Sequence, residues 1–364
     1  MKNFLKTAVI DLMPIKTIYA IAGIFFTVGV ALFVWLGFRF YELQGIKAAV
    51  IQSALPVALS VGQPKCDFVR WYDGVCVPNE TDRFTPLVAV MIENHPEARP
   101  LSGLSKAVIV YEAPVEAMFT RFLAIFPYDQ EVFKVGPVRS ARPYYLDWLA
   151  EYGNPMYLHV GGSPEALNLI KKRMMFDLDQ YFHGKNFWRS ADRSAPHNVY
   201  TSDDLWKNAW NDLAGKLSTR DLESWNFAER ESCVKDCVRE ISISFLPPSY
   251  AVFWRYDSKT GRYARFQAGA PHQDQDGATI EADTIIVQRV VHEVLDEVGR
   301  LKIDTVGGGE ALVFRDGYAV KGVWKKNDFD GRTRWIGENG LPIRLKPGKI
   351  WIEVVPEGKL VITN

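Results

Sequence analysis

The residues of this chain with most to offer chemically are arginines set among apolar neighbours. Arg121, Arg139 and Arg142 fall in or beside apolar stretches, and Arg189 and Arg193 precede Ala195-Pro196-His197-Asn198. A guanidinium near a core needs a matching anion, because an isolated buried charge is very costly. Protein carboxylates such as Glu93, Glu112, Glu116 or Asp147 can supply it. So can an anionic ligand, since the planar fork of donors fits carboxylate and phosphate. The first solution makes the arginines internal ties of a sheet; the second makes them a binding site.

A second device is His159-Val160-Gly161-Gly162-Ser163-Pro164. A strand that ends in two glycines at a helix start offers backbone N–H groups at the positive end of the helix dipole. Glycine also lets a phosphate or carboxylate approach the backbone closely. Glu165 in the first turn competes for the same dipole, and a tight strand–helix turn would need the glycines equally. The pattern G-x-x-x-x-G-K-[ST] is absent, so this is no phosphate loop. His159 and His197 are candidates for a general base or a metal ligand. Neither H-E-x-x-H nor G-x-S-x-G occurs, and Ser140 and Ser163 lack a nucleophile elbow. The expected anion-binding set is therefore Arg121, Arg139, Arg142, His159, Gly161, Gly162, Ser163, Arg193, His197 and Asn198. No metal and no cofactor is expected, and no catalytic residue is assigned.

Strands and helices must hold these groups. LVAVMIEN (87–94), VIVYEAPVE (108–116), FTRFLAIF (119–126) and FKVGPVRS (133–140) read as strands, the first as a buried one. A helix is expected over 141–153, closed by Gly153. MYLHVGG (156–162) is a strand that runs into a helix over 163–174, with Ser163 as cap and Pro164 at the first position. Thr201-Ser202-Asp203-Asp204 announces a third helix. After Glu240 the texture changes to short strands. AVFWRYD and RYARFQ flank Ser258-Lys259-Thr260-Gly261 as a hairpin, and further strands follow at roughly ten-residue spacing. The fold class that results is a mixed α/β domain over 66–225, followed by a mostly antiparallel β domain over 226–364.

Ahead of these lies an uncharged apolar run of 22 residues, 17–38, between Lys16 and Arg39. As a helix it covers the roughly 30 Å hydrocarbon core of a bilayer. Lys2, Lys6 and Lys16 outweigh Asp11 before the run, which favours a cytoplasmic N-terminus over 1–16. Residues 39–65 then form a juxtamembrane stalk, and the bulk of the chain lies outside. A cleaved signal peptide is the alternative, although the run exceeds the usual hydrophobic region of about 7–15 residues. Outside the membrane Cys66, Cys76, Cys233 and Cys237 are expected to oxidise. Local pairing, Cys66–Cys76 and Cys233–Cys237, is preferred because each pair flanks a turn-like segment. Neither spacing suits a zinc knuckle. With 43 basic and 43 acidic residues, nothing in the charge calls for nucleic acid as a partner.

Several long segments carry a resemblance. VMIENHPEARPLSGLSKA (90–107), IVYEAPVE (109–116), TRFLAIF (120–126), VGPVRSARPYYLDWLAEYG (135–153), HVGGSPEAL (159–167) and APHNVYTS (195–202) resemble the YerB-like bacterial family, a domain of unknown function. YAVFWRYD, GAPHQDQDG, TIIVQRV, GGGEALVFRDG, GVWKK and LKPGKIWIEVVP resemble its separate C-terminal domain. The likeness runs from about residue 68 onward. Val108 stands where the family usually has Asp, and Ala117-Met118 where it usually has two glycines. The apolar run replaces a lipoprotein signal and its anchoring Cys. The resemblance implies a protein tethered outside the cytoplasm with a two-domain layout, and supplies no activity.

Together these readings point to a single-pass envelope protein, inserted in the lipid bilayer through 17–38. It would bind an anionic cell-wall or lipid-linked ligand, or a partner protein of the envelope. The alternative is an envelope hydrolase, or a phosphoryl or glycosyl transferase, with an arginine-lined site.

Overall fold

The computed structural model describes Trp35 and residues 66–213, 222–231, 233–245, 247–359 and 361–363. The expected segment 1–16, span 17–38 and stalk 39–65 lie outside the described residues except for Trp35. Among the described residues no helix is long and apolar enough to cross a membrane.

The first part of the described chain supplies β1 (Leu87–Glu93), β2 (Ile109–Pro114), β3 (Thr120–Pro127), α1 (Pro143–Ala150), β4 (Met156–His159), α2 (Pro164–Lys172), β5 (Asp177–Asp179) and α3 (Asp203–Asp212). The second part is mostly strand, with one 3-10 turn at Pro248–Tyr250, and its longer strands with the C-terminal one are β6 (Glu240–Ile243), β7 (Val252–Asp257), β8 (Arg262–Gln267), β9 (Thr284–Val290), β10 (Gly307–Arg315), β11 (Tyr318–Lys326), β12 (Arg334–Gly337), β13 (Ile350–Pro356) and β14 (Val361–Thr363). The described fold is thus mostly β with few helices.

Ten strands form one sheet in the order β12-β11-β10-β9-β13-β2-β3-β1-β4-β5. Its middle joins the two parts of the chain. β13 runs parallel to β9 on one side and to β2 on the other, with Ile350–Glu353 beside Ile109–Glu112. Strands from either side of residue 226 therefore share one sheet.

β1, β2, β3 and β13 are buried along their whole length, which is why they read as unbroken apolar runs. Alternate residues enter opposite layers. Val88, Val90, Ile92, Phe122 and Trp351 pack toward α3 and a second sheet, β8-β7-β6-β14. Ala89, Met91, Tyr111 and Leu123 pack toward α1 and α2, where Tyr145, Trp148, Ala166 and Ile170 cover them. Ser163 caps α2 by accepting from Ala166 N at 3.2 Å, and Ser202 caps α3 by accepting from Leu205 N at 3.4 Å. The strand expected over 133–140 does not form. Val135, Gly136 and Val138 make only isolated bridges, because Pro137 brings no N–H to a ladder. Both local disulfides are present, each with a Cα–Cα distance of 5.8 Å.

One buried side chain ties the two sheets together. Arg265 of β8 reaches Glu112 of β2 at 2.5 Å, and both side chains are fully buried. Its guanidinium lies 5.0 Å from the Trp351 ring and 5.5 Å from that of Phe122. It also donates to Gln267 Oε1 at 2.9 Å and contacts His272 Nδ1. Burial, then the charges of Arg265 and Arg99, push His272 far below its usual value, so the ring is neutral and accepts. Glu353 of β13 stands next to Glu112 in register and accepts from Trp254 Nε1 at 2.8 Å. Burial, then the charge of Glu112, push Glu353 well above the usual carboxylate range, so it is the neutral member of the acid pair.

A raised acid pKa in the folded state stabilises fully below the ordinary value of 4.5 and loses that contribution as pH climbs through the folded value. Glu353→Gln, which keeps the neutral shape, should therefore remove this pH dependence and raise the melting temperature at pH 8. Glu112→Gln strips Arg265 of the one buried counter-charge it reaches among the described residues and should cost about 3–5 kcal/mol. Thermal and urea unfolding of both variants across pH 4–8 checks the pair of outcomes.

Candidate functional site

The strand ends beside the turn that joins β2 to β3 gather several of the expected residues. In the β1–β3 ladder Glu93 stands opposite Arg121. Both follow residues that face α1 and α2, so they share that layer. Arg139 comes alongside from the bridging segment and meets Glu93 Oε1 at 3.0 Å. His197 Nδ1 meets Glu93 Oε2 at 2.8 Å, and because a carboxylate only accepts, Nδ1 carries the proton. His197 Nε2 lies 3.3 Å from Glu97 Oε2, and the His95 ring stacks on His197 with centroids 4.8 Å apart. Ligand atoms of His95, Glu97 and His197 all lie within 4.8 Å of one another.

Arg142 pairs with Glu116 and donates to Ala141 O at 2.7 Å. Burial acts to raise Glu116, but the hydrogen bond and charge of Arg142, with the charge of Arg121, outweigh it and hold the carboxyl below its usual range. Arg121 differs from its neighbours. Its side chain is buried and donates to Ser140 O at 2.7 Å, yet among the described residues no carboxylate lies in ion-pair reach. Burial, then repulsion from Arg142, lower its pKa below the ordinary arginine value. Two guanidiniums here face one carboxylate.

The glycine turn is already filled. Asp179 Oδ1 accepts from Gly161 N at 2.8 Å and from Tyr181 N at 3.1 Å, so a carboxylate of the chain occupies the place an anion would take. Ser163 spends its hydroxyl on the cap of α2. Gly161 sits at φ +56, and a Cβ there would lie 3.0 Å from the Tyr181 ring. Gly162 packs against Ala141, which it also bridges. His159 is fully buried with both nitrogens engaged, Nδ1 with Gly161 O at 2.8 Å and Nε2 with Asp177 at 2.5 Å. Neither nitrogen is open to a substrate, which removes the ring from the candidates for a general base. Arg193 ties down the carbonyls of Ala98 and Pro100, and Arg189 holds Asn198 at 2.8 Å. These two, with Asn198, fasten the 189–198 loop.

Of the four carboxylates proposed to neutralise arginines, Glu93 takes Arg139 and Glu116 takes Arg142. Asp147 takes Arg173 at 2.7 Å, and Glu112 takes Arg265. Arg173, Arg265, His95 and Glu97 were not among the expected residues. Arg265 had a signal: in RYARFQ every second residue, Tyr263, Arg265 and Gln267, points inward.

Comparison with known proteins agrees with this architecture. Residues 74–216 match the family described as a protein of unknown function (DUF3048), N-terminal domain, and residues 241–352 match the C-terminal domain of the same family. The chain is 35% identical over 276 residues to "Putative lipoprotein YerB" of Bacillus subtilis (strain 168), covering 74% of this chain and 81% of that protein. The crystal structure of YerB protein from Bacillus subtilis aligns with a TM-score of 0.70 at 32% identity, over 80% of this chain and 98% of that one.

Because the turn needs φ > 0, Gly161→Ala should destabilise the fold by about 1–2 kcal/mol, the cost of a left-handed L-residue. Urea denaturation reads this directly. An unchanged midpoint would mean that the turn relaxes freely.

Proposed function

The chain belongs to the DUF3048 family, and from that premise we propose that it is an envelope protein, held outside the cytoplasmic membrane, whose strand-end arginines bind an oxyanion. Three features support the location. The Bacillus subtilis relative is described as a lipoprotein, the run over 17–38 has the length and composition of a bilayer anchor, and the two disulfides suit an oxidising compartment.

The observation that carries the binding reading is Arg121. A buried guanidinium beside Arg142, with one shared carboxylate nearby, leaves positive charge in a place where it is costly. A carboxylate or phosphate of an envelope polymer or lipid-linked precursor would complete it by the charge-assisted hydrogen bonds that arginine makes best. Arg139 has a different task, since it neutralises Glu93, and the glycine turn serves α2 and Asp179.

Isothermal titration of the full chain in detergent, with a purified muropeptide bearing free carboxylates, tests the reading. Arg121→Gln should weaken binding about 10–100-fold, the worth of a charged hydrogen bond of about 1.5–3 kcal/mol, with a melting temperature close to the parent's. Arg139→Ala should instead lower the melting temperature, because it leaves Glu93 buried without its guanidinium. Equal muropeptide affinity in parent and Arg121→Gln would overturn the assignment.

A further inference from the structure

We propose that His95, Glu97 and His197 form a binding site for one divalent transition-metal ion of the zinc type. This does not depend on the oxyanion reading. Ligand atoms of all three residues lie within 4.8 Å of one another. His197 engages Glu93 through Nδ1 at 2.8 Å, which turns its Nε2 toward Glu97 Oε2 at 3.3 Å. The His95 ring stacks on His197 with centroids 4.8 Å apart.

A metal ion gives all three residues a part. Two imidazoles and a carboxylate are a zinc donor set, and metal–ligand bonds of about 2.0–2.1 Å in a tetrahedron put donor atoms roughly 3.3 Å apart. The His197–Glu97 separation already equals this. Glu93 plays the outer role found behind metal-bound histidines: it fixes the tautomer and orientation of His197, while Arg139 holds its other oxygen. The loop is built to hold its two ligands together. His95 and Glu97 bracket Pro96 in a single 3-10 turn, and Arg193 fastens the carbonyls that follow. The Glu97 side chain is 74% exposed and free to close on an ion. The His95 ring is held by one 3.3 Å hydrogen bond from Glu97 N and by its stacking, with a ligand nitrogen within 4.8 Å of the other two ligand atoms. Three protein ligands leave a fourth position open to water or to a ligand atom.

The test uses the untagged full chain in detergent, stripped with EDTA, then titrated with zinc chloride by calorimetry and with cobalt(II) chloride by visible absorption. The expected result is one equivalent of zinc and a cobalt d–d band that zinc displaces. Glu97→Ala, at an exposed position where folding is not at stake, should weaken zinc at least about tenfold, and His95→Ala likewise. Glu93→Gln should weaken it about 10–100-fold while leaving the three ligands in place. His183→Ala, remote from the cluster in sequence and contacts, should change nothing. Absence of stoichiometric zinc binding, or binding that Glu97→Ala and His95→Ala both leave intact, overturns the proposal.

Discussion

Everything in this molecule hangs on one guanidinium buried between two sheets. Arg265 comes from the second sheet and ends on Glu112 in the middle of the first, with aromatic faces around it and a neutral acid, Glu353, beside it. A charge placed there is tolerable only with its counter-charge and its hydrogen bonds complete. The pair therefore does more to specify which surfaces meet than to add stability. β13 does the corresponding work along the sheet: lying parallel between β9 and β2, it makes the two family domains share one layer.

That arrangement sets where polar chemistry is found. The period of two sends Glu112 and Thr120 toward the second sheet, and Glu93 and Arg121 toward the helices, at the same strand ends. The first group closes on itself: Thr120 and Asn94 bond Glu112, and Gln267 bonds Asn94. The second group is tied to the segments that flank it: Glu93 is shared between Arg139 and His197, and Arg121 holds Ser140 O.

What was legible in the sequence was local. Apolar runs marked the central strands, Ser163 and Ser202 marked helix starts, and short spacing paired the cysteines. What was not legible depended on distant partners. No local pattern says that Asp179 fills the Gly161 turn or that Arg139 chooses Glu93. The loop after Glu116 is instructive. Ala117 and Met118 sit at φ +55 and +62, a left-handed conformation that glycine favours and that no apolar pattern announces. Residues 133–140 carry the apolar content of a strand, but Pro137 lacks the N–H that a ladder needs, so only isolated bridges form.

Native-state hydrogen exchange on the full chain tests the shared, cross-tied sheet most directly. Amides of Ile109–Glu112 and of Ile350–Glu353 should open together, with one free energy and one denaturant dependence, although they belong to different family domains. Distinct opening energies for the two segments, one exchanging while the other stays protected, would contradict the account.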